Sequence, residues 1–168
     1  ISEKNKNFPD KINIILNKIS DLRYGENPHQ KSAIYSEQNL GIANSKLLHG
    51  KEMSFLNFLD ADAAFSSANS FSAHTVSIVK HTNTCGLSST DNQLESYENA
   101  LRGDPVSAFG GIVGFNTEVQ SKTAIEISKT FYDVIIAPSF SEDAFKILSN
   151  KKNIRLLSSN FLQQNYEY

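Results

Sequence analysis

Four short apolar runs limit what this chain can fold into: TVSIVK (75–80), GGIVGF (110–115), DVIIAP (133–138) and NIRLL (153–157). Each is rich in β-branched or aliphatic residues and too brief for a helix, so each reads as a buried strand. The segments NQLESYENALR (92–102), TAIEISKTF (123–131) and SEDAFKILS (141–149) read as helices. Gly103 closes the first, and Ser141 caps the last with acids in its first turn, which suits the helix dipole. Strand and helix alternating at such short intervals predict an α/β layered domain with a mixed, largely parallel sheet.

The first part of the chain is less regular. Residues 1–20 are polar, carry Pro9, and read as a linker or arm feeding a short helix or strand around Ile12 to Ile19. DLRYGENPHQ (21–30) contains Gly25 and Pro28 and reads as irregular backbone. SAIYS is a short strand, and SKLLHGKEMS runs from strand into loop. Phe58, Ala61, Phe65 and Ala68 recur at helical spacing, with Asn57 placed to cap the helix and Asp60 and Asp62 on its solvated face. The tail SSNFLQQNYEY has no clear period.

Bulk properties remove some function classes. The chain of 168 residues is long enough for one domain with a core. A net charge of -2 gives no basic field, so no nucleic-acid partner is expected. No apolar run reaches membrane-spanning length and the N-terminus has no signal-peptide pattern, so a cytoplasmic protein without a membrane partner is expected. The lone Cys85 excludes an internal disulfide and any multi-thiolate zinc site, and no metal is expected. The chain starts with Ile rather than Met and reads as part of something longer or as an edited sequence.

The stretch with most chemistry is VKHTNTCG (79–86). Ligands in layered α/β folds sit beyond strand carboxyl ends, where Lys80 and His81 fall. Alternation would send the two side chains to opposite faces, so the chain must bend after the strand for both to line one pocket. There His81 would serve as a general base and Lys80 would hold developing negative charge. The residues alone also fit a snorkelling lysine beside a histidine bonded to backbone. In DLRYGENPHQ, Arg23 offers a planar fork for phosphate or carboxylate, Tyr24 stacks or donates, and His29 titrates; a polar surface turn fits the same residues. DPVSAFGGIVGFN reads as a turn at Asp104 and Pro105 followed by a ligand-approach loop around Gly110 and Gly111, or as tight strand–helix packing. Cys85 reads as a packed thiol rather than a nucleophile.

The order LRYGENPHQ, FLNFLDADAA, VKHTNTCG, DPVSAFGGIVGFN, VIIAP and SEDAFKIL closely resembles the transformylase part of the bifunctional AICAR transformylase and IMP cyclohydrolase family. The likeness runs from about Phe8 to Leu157. It implies a cytidine-deaminase-like α/β/α layered domain, with residues 1–20 as the linker or arm from a preceding cyclohydrolase domain and 21–168 as the first half of the transformylase domain. It implies catalytic roles for His81 as proton acceptor and Lys80 as stabiliser of the transition state. It places Arg23, Tyr24, His29, Asn57, Phe109 and Gly110 at or beside the ribotide, and Asp133 facing the folate. One departure is Thr84, which stands where the bacterial members usually have proline.

The reaction implied is formyl transfer from 10-formyltetrahydrofolate to the 5-amino group of AICAR by a homodimer. The folate is consumed as cosubstrate and no cofactor is tightly bound. The alternative is a non-catalytic module that binds a ribotide or phosphate and dimerises. Zinc-dependent deamination requires H-x-E and P-C-x-x-C ligands, and the sequence has neither.

Overall fold

The computed structural model describes residues 11–37 and 41–160. Two sheets form. Strand β1 (Asn17–Asp21) pairs antiparallel with β2 (Ala33–Ser36) in a small ribbon, and a 3-10 turn follows at Ile42–Asn44. The expected boundary between residues 20 and 21 falls inside β1. The remaining strands are β3 (Lys46–His49), β4 (His74–Lys80), β5 (Asn83–Thr90), β6 (Ile112–Phe115), β7 (Val134–Ala137) and β8 (Arg155–Ser158). They form one sheet in the order β3-β8-β7-β6-β4-β5.

The sheet is mixed. β6, β7 and β8 are mutually parallel because helical crossovers join them, α4 (Ser121–Ile127) and then α5 (Glu142–Ser149). β4 runs antiparallel to both β6 and β5, and β3 runs antiparallel to β8. Four strands, β5 to β8, therefore point the same way, while two of the five ladders are parallel.

Both faces are covered, which explains why the central strands read as unbroken apolar runs. Helix α1 (Phe55–Asn69) lies on one face over Val79, Ile112, Val134, Ile136 and Leu157. It buries Ala61, Ala64, Phe65 and Ala68, a stripe at helical spacing. Helix α2 (Gln93–Gly103), α4 and α5 cover the other face, over Val76, Ile78, Val113, Phe115, Ile135 and Leu156. Each side chain of this kind moved fully out of water contributes about 1.5–3 kcal/mol. Tyr97 of α2 and Tyr132, both buried, satisfy each other's hydroxyls at 3.1 Å.

Three local expectations are corrected. The cap of α1 is Ser54, whose hydroxyl accepts from Asn57 N–H at 3.3 Å; the Asn57 side chain accepts from Ser54 N–H at 3.2 Å. Asn57 is thus the third-position member of a reciprocal capping box, and the helix starts three residues earlier than a cap at Asn57 would place it. The bend expected after β4 is a tight turn, and the stretch beyond it is strand β5, which interior Gly86 and flanking polar residues disguise. Asp104 and Pro105 open a one-turn helix, α3 (Pro105–Ala108), with Asp104 as its cap. The tail beyond Asn160 lies outside the described residues, as do residues 1–10 of the arm.

Candidate functional site

The hairpin between β4 and β5 is as tight as a hairpin can be. Lys80 pairs with Asn83, leaving only His81 and Thr82 to turn the chain, with φ of 54° and 60°. Two consecutive positive φ values define a primed turn, which normally selects Asn-Gly. A histidine followed by a β-branched threonine is strained there, at a cost of about 1–2 kcal/mol per residue.

The strain is offset by a clamp. Asp60, on α1, accepts the His81 N–H at 3.0 Å and the Thr82 N–H at 2.7 Å, one on each carboxylate oxygen. The His81 carbonyl accepts from Thr82 Oγ1 at 2.7 Å and from Asn83 Nδ2 at 2.9 Å. Asp60 was expected on a solvated face; it is instead a structural partner of the hairpin. A β-bulge reinforces the bend: Ile78 pairs with Gly86 but Val79 with Thr84, so Cys85 is the extra residue. Thr84 sits within β5, next to that bulge.

The bend allows Lys80 and His81 to line one cavity of about 280 Å³ together with Cys85, Asp104 and Ser107. Lys80 Nζ donates to the Phe109 carbonyl at 2.7 Å, which fixes the ammonium. His81 is exposed and lines the cavity, and its ring makes no hydrogen bond to the described residues. Ser107 donates to Asp104 through its hydroxyl at 2.6 Å and its N–H at 3.0 Å, and these bonds hold the carboxyl below its usual range. Burial pushes the Cys85 thiol up, and the neighbouring Asp104 charge adds to the effect.

Phe109, Gly110 and Asp133 lie at the same end of the sheet. That end is the carboxyl end of β4 but the amino end of β6, β7 and β8, because β4 is antiparallel to β6. Gly110, with φ of 75°, reverses the chain just before β6 and donates its N–H to Phe131 at 2.8 Å. The Phe109 ring is 59% exposed and packs against Phe131 at 5.4 Å between centroids. Asp133 precedes β7; its N–H donates to Gly111 and its carbonyl accepts from Arg155, leaving the carboxylate without a hydrogen bond to the described residues.

Arg23 and Tyr24 are tied to the start of α1 and do not line the cavity that holds Lys80 and His81. Arg23 N–H donates to the Met53 carbonyl at 3.1 Å, and Phe55 N–H, an orphan donor at the helix start, is taken by the Tyr24 carbonyl at 3.0 Å. The Arg23 guanidinium lies 5.2 Å from the Tyr24 ring centroid. From Phe55 to Asp60 the helix rises about 8 Å, so one helix carries the Arg23 loop and the His81 hairpin at nearby heights. Buried Arg155 steadies the segment between β3 and α1, donating Nε to the Lys51 carbonyl at 3.0 Å and the Glu52 carbonyl at 3.3 Å. Sequence reading assigned Arg155 no role. His29 is not brought in: it sits exposed on the turn closed by Gly25 and Gln30 and bonds to none of the other expected site residues. Asn57 is engaged in the capping box.

Among the described residues no group of three or more His, Cys, Asp or Glu is arranged to hold a metal ion. No helix among them is long and apolar enough to cross a membrane.

Residues 1–168 match the family described as the AICARFT/IMPCHase bienzyme. The chain is similar to the protein named "Bifunctional purine biosynthesis protein PurH" from Acetivibrio thermocellus, 50% identical over 153 residues covering 89% of this chain and 30% of that one. It is similar to the protein of the same name from Listeria monocytogenes, 50% identical over 157 residues covering 92% and 31%. The Thermoanaerobacter protein is 46% identical over 169 residues, covering 99% and 33%. The chain thus spans about a third of the length of these curated relatives. With the match running its whole length, the chain belongs to the AICARFT/IMPCHase bienzyme family.

Proposed function

We propose that this chain supplies the proton-transfer and charge-stabilising groups of a folate-dependent formyltransferase acting in purine biosynthesis. The reaction moves the formyl group of 10-formyltetrahydrofolate to the 5-amino group of AICAR. The observation that carries the reading is the joint presence of Lys80 and His81 in one cavity, on a strained hairpin held by Asp60. Strain maintained by a dedicated clamp is a mark of a functional position.

The steps balance. The ribotide amine is conjugated with its carboxamide and is a weak nucleophile, so it needs a base. As its nitrogen attacks the formyl carbon, His81 accepts the amine proton. The carbonyl electrons pass to oxygen, and Lys80 stabilises that oxyanion. Collapse expels N10 of the folate, which takes the proton back from His81. The products are the formamido ribotide and tetrahydrofolate. Holding both substrates together supplies a large share of the acceleration.

Arg23 is proposed on the ribotide phosphate with Tyr24 beside it. His29, Asn57, Phe109 and Gly110 complete the ribotide side, and Asp133 faces the folate. His29 would reach the ribotide from its own turn, and Asn57 from the helix cap. We place the chain as one half of a cytidine-deaminase-like pair in a homodimer, with no tightly bound cofactor. Ile14, Ile15 and Leu16, each more than half exposed, support a covering partner for the arm. The test is formyl transfer by the full-length protein carrying this chain: His81→Ala must lose turnover while retaining ribotide binding.

A further inference from the structure

Helix α3 is a single turn of four residues, and Asp104 supplies most of what closes it. The Asp104 carboxylate takes the Ser107 N–H at 3.0 Å on one oxygen and the Ser107 hydroxyl at 2.6 Å on the other. The Asp104 carbonyl takes the Ala108 N–H at 3.0 Å. A helix this short gains nothing from cooperative propagation, so its shape depends on its cap. The far end of the turn is seated against β4. Ala108 is fully buried, and its carbonyl takes the Gly111 N–H at 3.0 Å. A β-carbon at Gly111 would lie 2.8 Å from the Val79 carbonyl, so the two backbones touch just before Lys80. Phe109, the residue that ends α3, offers its carbonyl to Lys80 Nζ at 2.7 Å. One short turn thus has a carboxylate at its start and the anchor of the Lys80 ammonium at its end.

We propose that Asp104 is a positioning residue for Lys80 and acts through the α3 turn. The inference rests on the formyl-transfer reading. Asp104 and Lys80 line the same cavity but form no ion pair among the described residues. The bonded route between them is the turn: Asp104 to Ser107 and Ala108, then Phe109, then Nζ. An ammonium tethered to a carbonyl moves when that carbonyl moves. Without the cap the turn loosens, the Phe109 carbonyl shifts, and the ammonium leaves the place where the formyl oxygen gains charge. A misplacement of about 1 Å costs up to about 10²-fold in rate. Ground-state binding of the ribotide does not depend on that placement.

The experiment is a mutant cycle in the full-length protein, reading kcat and KM for Asp104→Ala, Asp104→Asn, Lys80→Ala and Asp104→Ala/Lys80→Ala. Asp104→Ala is expected to lower kcat by about 10–10²-fold with the ribotide KM little changed. Asp104→Asn is expected to rescue kcat to within a few-fold of wild type. Its amide oxygen accepts the Ser107 N–H and its amide nitrogen donates to the Ser107 hydroxyl, so the cap persists without the charge. In the double variant kcat is expected to match Lys80→Ala alone, since no ammonium is left to misplace. A further loss of about tenfold beyond Lys80→Ala overturns the inference, because Asp104 would then act independently of Lys80. An asparagine variant as slow as the alanine one overturns it too, by assigning the effect to charge, as does an alanine variant with wild-type kcat. Should Asp104→Ala fail to fold, Ser107→Ala removes only the hydroxyl bond and goes through the same cycle, with a smaller loss and the same non-additivity expected. A wild type that transfers no formyl group defeats the functional reading itself, which is distinct from an active enzyme whose cycle is additive.

Discussion

Asp60 holds His81 by its backbone: the carboxylate takes the His81 N–H at 3.0 Å and leaves the imidazole free. The second carboxylate oxygen takes the Thr82 N–H at 2.7 Å, so a single side chain on α1 fixes both positive-φ residues of the hairpin. The position of the His81 backbone is therefore set from another layer of the fold.

Replacing Asp60 tests that role. Asp60→Ala removes two charge-assisted bonds and is expected to cost about 2–3 kcal/mol of stability. Displacing His81 is expected to lower kcat of the full-length protein by about 10²-fold with ribotide affinity little changed. Adding Thr82→Gly to this variant relieves strain and should restore about 1 kcal/mol in denaturant melts without restoring kcat. Recovery of both together would show that Asp60 acts only on stability.

Lys80 is predicted to act on the transition state. Its ammonium donates to the Phe109 carbonyl at 2.7 Å, and among the described residues no carboxylate forms an ion pair with it. Lys80→Ala should lower kcat by about 10²–10³-fold, the usual loss for one oxyanion donor. Steady-state kinetics would show this as a kcat effect, and a variant changed only in KM would assign Lys80 to ground-state binding.

Helix α2 sits against β5 at Gly86, where a β-carbon would run into the Ala100 carbonyl. Gly86→Ala is therefore predicted to push α2 off the strand and destabilise the domain by about 1–3 kcal/mol, the range for overpacking. Chemical denaturation measures it. A neutral result would mean that α2 lies farther from the sheet.

Cys85 provides a pH test. Burial, then the Asp104 charge, raises its thiol pKa, so the folded chain keeps the thiol protonated at neutral pH. The unfolded chain releases that proton first, so this group's stabilising contribution is present below the unfolded value and falls as pH rises toward the raised one. Alkylation by iodoacetamide near pH 8 is expected to be slower in the folded protein than in urea. Asp104→Asn is expected to speed it, and a slower rate in that variant would reverse the assigned sign.

The central fold was legible because its signals are local. β4, β6, β7 and β8 are apolar runs covered on both faces, and Ser141 announces α5 through its hydroxyl at Ala144 N–H. β5 was not legible: its exposed or half-buried alternation, Gly86 and a bulge at Cys85 remove the expected pattern. Sheet polarity was only partly legible, since β4 and β6 are joined through β5 and α2 and nothing in either strand states its direction. At the site, Lys80 and His81 stood out as titratable groups ending a buried run. Asp60 did not, because its partners lie 21 and 22 residues ahead in the chain and become neighbours only when α1 packs across the sheet. Arg155 was hidden for the same reason, its carbonyl partners lying 104 and 103 residues back.

The most direct test is the turnover of the full-length protein with His81→Ala, measured at saturating ribotide and 10-formyltetrahydrofolate. A positioned general base contributes about 10²–10⁴-fold, so kcat should fall by that factor while the fold and ribotide binding persist. Turnover within a few-fold of wild type would contradict the assignment of proton transfer to His81.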